Sequence, residues 1–529
     1  MFIPNAISRR GAVLFAAGLL WAGCGRIRSD APERKGGGGE LRVVLPAEPR
    51  DLDPNATQDE MGLLVAPNLY SRLVMIDADS NVLPDLAERW EVGKGGLEYI
   101  FHLREGVRWH DGHPFRAADV RWTLKHQSPR PTFASDVYRK IAAVETPDER
   151  TVIVRLREPW APFLPMIASY GAFILHPPHS PREAVPRPSP IGTGPFKFVA
   201  WEKGRRIVLA ANPDFFRRGP FLDRVVYEFE PDHHRGPQRL IDGKSDLLVV
   251  RPPLDSLPRL ARSPELRVAT FPGDGQYSLM FNLRRRPFQD LRVRRAVNQA
   301  IDRPALLARA LYGYGTPGLG FYTPALAWAF NAAARAPELD PAGARSQLDA
   351  AGLPPDARGV RFRANLLTPA FSPFPDVARE VAGQLAAVGV ALQVEEVPGR
   401  EWIARTIQRH DFDIALMGGS LGPDPETLNM RFGSRSPMQF IGYESPELDA
   451  ALAEGARELT LSRRARAYFR VQEILARDLP VAPLVDGASV TVSRREVTGL
   501  PQMEARGLVA EFEFSLVRLV RSAPAEGGR

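Results

Sequence analysis

"VLPDLAERWEVGKGGLEYIFHLREGVRWHDGHPFRAADVRWTL" occupies residues 82–124 and sets three kinds of local structure side by side. In "YIFHL" (99–103), Tyr99, Phe101 and Leu103 fall on one face, the period-two pattern of a half-buried strand. Asp111-Gly112 is a turn pair in which glycine supplies the positive φ. "RAADVRWTLKH" (116–126) carries Val120, Trp122 and Leu124 and predicts a helix packing inward. Inside the turn stand His110, Asp111 and His113, and imidazole and carboxylate groups are ordinary metal ligands and acid–base groups. The spacing favours a strand–turn–helix corner. A metal-dependent hydrolase built on these three residues is the alternative.

Other signatures of catalysis are weak. None of the nine histidines forms HExxH. "GKS" at 243–245 fails as a phosphate loop because Gln238 stands where the first glycine belongs, and "GTGPF" (192–196) has no lysine and hydroxyl after it. "HPPH" (176–179) and "DHH" (232–234) read as surface histidines. The formal charge of +7 comes mostly from arginine, with only seven lysines, and the basic residues are spread along the chain. Nucleic-acid binding needs a basic face or a recognised motif, and neither is present. The 44% apolar and 25% charged composition is that of a globular protein, and 529 residues suffice for two to four domains or lobes.

The first residues predict export. Arg9 and Arg10 precede the apolar run Gly11 to Leu20, which is too short to span a bilayer comfortably, and Ala22 and Gly23 precede Cys24. Residues 1–23 therefore read as a signal peptide. Cys24 is the only cysteine, so no intrachain disulfide exists, and its setting resembles a bacterial lipobox, with Trp21 where leucine is usual. Residues 24–39, ending in four glycines, read as a lipid-anchored flexible tether.

The folded part starts near Leu41. "LRVVLP" (41–46), "TVIVRL" (151–156), "RIVLAA" (206–211) and "RVVYEF" (224–229) predict strands. Asp340 with Pro341 predicts a capped helix carrying Ala344, Leu348 and Ala351 and ended by Gly352. Asp376 is expected to start a helix with Val377, Val381, Leu385 and Val388 on one stripe, ended by Gly389. Asp290 is expected to begin another, with Val293, Val297 and Ile301 spaced by four. "VALQVEEV" (390–397) is a strand. Helix and strand thus alternate from 290 to 480, which predicts an α/β lobe.

Taken with its neighbours, the run 82–124 resembles the signature of the family 5 extracellular solute-binding proteins, the peptide, nickel and oligosaccharide receptors of ABC importers. "PIGTGPFKFVAWEKG" (190–204), "NPDFFRRGPFLDRVVYEF" (212–229), "IDGKSDL" (241–247), "YSLMFNLRRRPFQDLRVRRAVNQAIDR" (277–303) and "DFDIALMGGSLGPDP" (411–425) match in the same order. The resemblance implies an α/β, two-lobed periplasmic-binding-protein fold, type II and cluster C-like, with an extra subdomain in the N-terminal lobe. The implied divisions are 40–70 plus 190–270 plus 486–520 for a discontinuous N-terminal lobe, 71–189 for the inserted subdomain and 271–485 for the C-terminal lobe. Residues 521–529 are expected to be a disordered tail.

The same resemblance implies a receptor and not an enzyme, without catalytic residues, metal or cofactor. It is expected to be a monomer outside the cytoplasmic membrane, anchored through lipidated Cys24. It would capture a peptide-like or small polar solute and deliver it to ABC permease subunits. A ligand-binding sensor or chaperone is a further alternative. The implied ligand-binding residues are Trp402, Tyr277, Gln58, Asp59 and the loop Met417, Gly418, Gly419, Ser420 and Leu421, with Asp424 as a weaker contact; Glu60 belongs to the same N-terminal loop as Gln58. In peptide receptors an aspartate of the loop after the "FD" strand takes the ligand's free amine. Here its place falls at Leu421 or Gly422, and Leu416 stands where some relatives carry an arginine for the ligand carboxylate. An uncharged residue cannot anchor an ammonium ion. Free di- and tripeptides are therefore expected to be poor ligands compared with sugars, capped peptides or opine-like conjugates.

Overall fold

The computed structural model describes residues 38–54, 59–77, 81–125, 137–168, 172–177, 190–232, 234–249, 252–419, 421–500 and 512–520. Residues 1–37, including Cys24, Gln58, Ser420 and the 521–529 tail lie outside them.

Two long strands organise the molecule. Leu266–Phe281 and Val481–Arg494 run antiparallel to each other through the middle of an 11-stranded sheet. On one side the sheet continues through Leu247–Leu248, Glu40–Leu45, Arg224–Phe229, Arg206–Ala211 and Phe196–Glu202. On the other it continues through Ile414–Met417, Phe362–Pro369 and Val390–Val397. The pairing of the two long strands shifts register between Pro272 and Gln276, so that Gly273, Asp274 and Gly275 lie opposite Gly487. The N-terminal end of Leu266–Phe281 and the C-terminal end of Val481–Arg494 thus serve the first half of the sheet, and their opposite ends serve the second.

Each half buries its own core. Helices Leu291–Gln299, Pro341–Ala350 and Phe374–Ala386 cover one face of the second half through Val293, Val297, Leu348, Val381 and Leu385. Helices Pro446–Arg457 and Leu461–Asp478 bury Leu452, Tyr468, Val471 and Leu475 on its other side. The first half is held by Leu41, Val43, Phe196, Leu209, Val225 and Tyr227. A separate four-stranded antiparallel sheet, in the order Ala87–Gly93, Glu98–Leu103, Thr151–Leu156, Ile141–Glu145, carries a third core. The strand Glu98–Leu103 buries Tyr99, Phe101 and Leu103 as its alternation predicts.

Local chemistry explains the element ends. Asp290 and Asp340 accept the backbone N–H groups of Arg292 and Gly343 and cap their helices. The first of these ends at Gln299, so Ile301 lies beyond it, although still buried. Asp376 does not start its helix, which begins two residues earlier at Phe374. The buried Phe374 ring and a proline in the first turn move the start, leaving Asp376 as the acidic residue of that turn. Among the described residues no helix is long and apolar enough to cross a membrane.

Candidate functional site

The strand Ile414–Met417, paired on one side with Leu266–Phe281 and on the other with Phe362–Pro369, delivers the loop 417–422 to the point where the two long strands change register. Ser278 pairs with Met417, and the Gln276 N–H donates to the Gly419 carbonyl at 3.2 Å. Gly418 is held by close approach: a Cβ there would lie 2.9 Å from ring atoms of both Tyr277 and Phe374. Leu416 and Leu421 are buried, so the loop offers backbone rather than these side chains. The sequence "GGSLG" also satisfies the G-x-S-x-G spacing of a nucleophile elbow. It lacks the helix that such an elbow needs directly after the serine, since the next helix starts only at Thr427.

Tyr277 meets Phe374 edge-on with centroids 5.4 Å apart, and its ring also passes 3.3 Å from where a Cβ on Gly487 would sit. Trp402, on the short helix Gly399–Ile403, is half-buried against Phe440, centroids 5.8 Å apart. Among the described residues its indole N–H has no hydrogen-bond partner. A buried donor of this kind favours any ligand that supplies an acceptor.

Two of the expected contacts also carry structural roles. Asp424 is 1% exposed, and its two carboxylate oxygens accept from Arg464 at 2.8 and 3.0 Å while one also takes the Glu426 N–H. It is therefore an internal ion pair and has no free face for a ligand. Asp59 caps the helix Glu60–Leu69, accepting the N–H groups of Gly62 and Arg50.

One carboxylate beside the loop was not anticipated. Asp486 lies on Val481–Arg494 opposite Gln276, whose amide donates to it at 2.8 Å. Burial pushes its pKa up to about 7, the Gln276 bond opposing. Buried Asp85, Asp246 and Asp424 each face an arginine, whereas no cation pairs with Asp486 among the described residues. The sequence signal is a lone acid in the apolar run "VAPLVDGASVTV" (481–492).

The corner 109–113 forms as a turn, with Gly112 at φ 92° and His113 donating its N–H to Asp111. The histidines part company there. His110 is half-buried, accepts the Gly192 N–H on Nδ1 and faces the Gly194 carbonyl with Nε2 at 3.0 Å. Burial pushes its pKa down to about 4 and it stays neutral. Both its nitrogens being engaged, it cannot join Asp111 and His113. The third group beside them is His176, which is not the surface histidine expected: it is 6% exposed and packs edge-on against Trp109 at 4.6 Å. The apolar run "AFIL" (172–175) just before it was the available signal.

Comparison with known proteins adds the following. Residues 81–440 match the model described as bacterial extracellular solute-binding proteins, family 5 Middle. The glutathione-binding protein GsiB of Salmonella typhimurium (strain LT2) is 26% identical over 467 residues, covering 85% of this chain and 89% of that protein. The periplasmic binding protein DppA from Helicobacter pylori, solved in complex with the peptide STSA, superposes with TM-score 0.78 at 24% identity, over 92% of this chain and 99% of that one. NikZ from Campylobacter jejuni, in complex with Ni(L-His), gives TM-score 0.78 at 22% identity over 90% and 99%. These structures share the two-lobed fold.

Proposed function

The chain belongs to the bacterial extracellular solute-binding proteins, family 5, and from that premise we propose how it recognises its solute and where it works. It is a substrate-binding protein of ABC importers. A peptide-like or other small polar solute is captured between the two halves of the sheet, and no bond is broken. The Met417–Leu421 backbone, Trp402 and Tyr277 contribute the C-terminal side of the site, and the loop carrying Gln58 contributes the other. Cys24, lipidated after removal of residues 1–23, holds the receptor near its permease.

The observation that carries the ligand class is the uncharged loop: a glycine pair between buried Leu416 and buried Leu421, with Asp424 committed to Arg464. A free α-amine finds no counter-charge in that loop, so solutes without terminal charges bind better. A second reading is favoured by Asp486, which has no paired cation among the described residues and is joined to the loop through Gln276. There the anchor for a cationic group has moved from the loop to the crossing strand. Hydrolysis through His110, Asp111 and His113 is not favoured, because His110 is held by backbone.

The test is native mass spectrometry of the purified protein, then a thermal-shift screen of sugars, capped peptides, opine-like conjugates, glutathione and free dipeptides. A ligand at 100 times its dissociation constant adds about 2.7 kcal/mol. The largest shifts are expected from solutes without a free amine. Largest shifts from unmodified dipeptides would overturn this, and their loss in Asp486→Asn would establish the second reading. Turnover of any bound solute would overturn the receptor assignment itself.

A further inference from the structure

We propose that Asp111, His113 and His176 form a binding site for one divalent transition-metal ion of the zinc type. The three residues reach one point from two separate stretches of chain. The turn supplies Asp111 and His113 and is fixed from behind: the Trp109 N–H donates to the His113 carbonyl at 2.9 Å, and the Trp109 indole N–H donates to Asp119 at 3.0 Å. Segment 172–177 supplies His176. It is clamped by Ile174 donating to the Ser71 carbonyl at 2.9 Å and by Leu175 bonding to the Thr123 hydroxyl at 3.1 Å.

The resulting geometry is that of a ligand set. His113 Nδ1 lies 3.1 Å from Asp111 Oδ1, and His176 Nε2 lies 3.2 Å from Asp111 Oδ2. One ligand atom from each of the three lies within 4.8 Å of the others. Ligands ~2.1 Å from a tetrahedral zinc ion stand ~3.4 Å apart; each imidazole already meets its own Asp111 oxygen at such a spacing, and convergence on one shared ion needs only a modest swing. His113 provides that swing, because its side chain is 57% exposed, while the His176 side chain is 2% exposed and braced by Trp109. Two imidazoles and one carboxylate select zinc, cobalt or nickel over magnesium or calcium, which prefer all-oxygen sites. The exposed side of the trio leaves the remaining position to water. A bound ion fastens the turn to segment 172–177, and through neighbouring His110 to Gly192 and Gly194.

The site lies in the stretch between the strands of the small sheet and residue 190, not on the loop 417–422, so it is tested without any solute. Full-length protein is stripped with chelator and titrated with zinc chloride by calorimetry, and cobalt chloride is added to a second sample for its visible absorption. One equivalent of zinc and a tetrahedral-type cobalt spectrum are expected. His113→Gln and Asp111→Asn, both on the exposed turn, should each weaken zinc at least tenfold with unchanged far-ultraviolet circular dichroism, while His234→Gln leaves it unaltered. No stoichiometric uptake, meaning a hydrogen-bonded trio only, would overturn the site. So would uptake indifferent to both turn variants, or uptake abolished by Cys24→Ser.

Discussion

Asp486 and Asp424 are both buried carboxylates, and their different surroundings predict opposite responses to substitution. Asp486 has its pKa raised to about 7 by burial, against an ordinary 3.8, so the folded state prefers its neutral form. The stability it contributes is therefore full below pH ~4 and is lost as pH rises through about 7. At 1.36 kcal/mol per pH unit, that difference sets an upper bound of about 4 kcal/mol. Asp486→Asn keeps an acceptor for Gln276 and removes the titration. Urea unfolding should show the variant gaining on the native protein from pH 5 to pH 8, and parallel pH profiles would contradict the assignment. Asp424→Ala acts the other way. It strands the Arg464 guanidinium, 7% exposed and set over the Trp328 and Tyr468 rings, without its counter-charge. A loss of about 3–5 kcal/mol in the same unfolding measurement is expected. A loss below about 1 kcal/mol would mean that the pair is not shielded from water.

At the scale of elements, the loop after Ile414–Met417 works only because Gly418 has no side chain. A methyl there meets two aromatic rings, Phe374 at the start of its helix and Tyr277, that pack on each other and into the core of this half. Gly418→Ala should cost about 1–3 kcal/mol and weaken solute binding, read as a lower melting temperature and a smaller ligand-induced shift. An unchanged shift would place the solute away from this loop. The elements themselves were legible wherever the signal is local. The alternation of Tyr99, Phe101 and Leu103, the Asp340-Pro341 cap and the Asp111-Gly112 turn need only near neighbours. What sequence missed is set by distant packing. His176 is buried by Trp109, 67 residues earlier, and Asp486 is paired by Gln276, 210 residues earlier. The helix start at Phe374 likewise follows from where its ring is buried. No local pattern encodes such partners, so sequence spacing alone groups His110 with His113, whereas the fold ties His110 to Gly192 and Gly194.

At the scale of the molecule, the small four-stranded sheet touches the far half of the structure directly. The Ala161 N–H donates to the Ala456 carbonyl at 2.8 Å, and Ala456, near the end of the helix Pro446–Arg457, packs against the small sheet's core. Leu459 lies beside Gly96, and the buried Glu426 carboxyl has Lys140 of the small-sheet region among the charges that act on it. The two halves are joined through the long strands, so an opening of one half against the other would have to break this non-covalent contact. A solute that binds between the halves stabilises the closed arrangement only by its differential affinity for it. Weakening the contact therefore lowers apparent affinity by the fraction of closed molecules lost, even though no solute atom is touched. Ala456→Arg places a charged side chain where an alanine meets the apolar core of the small sheet. The variant should fold with nearly native stability when empty, since Ala456 is only half-buried. Its affinity for the best solute from the screen should fall at least tenfold, about 1.4 kcal/mol, by calorimetry. The native protein should also lose radius of gyration on adding that solute in small-angle X-ray scattering, and the variant should need correspondingly more solute to do so. Equal affinity and equal compaction in the two proteins would show that this contact persists in the open state and that closure occurs elsewhere.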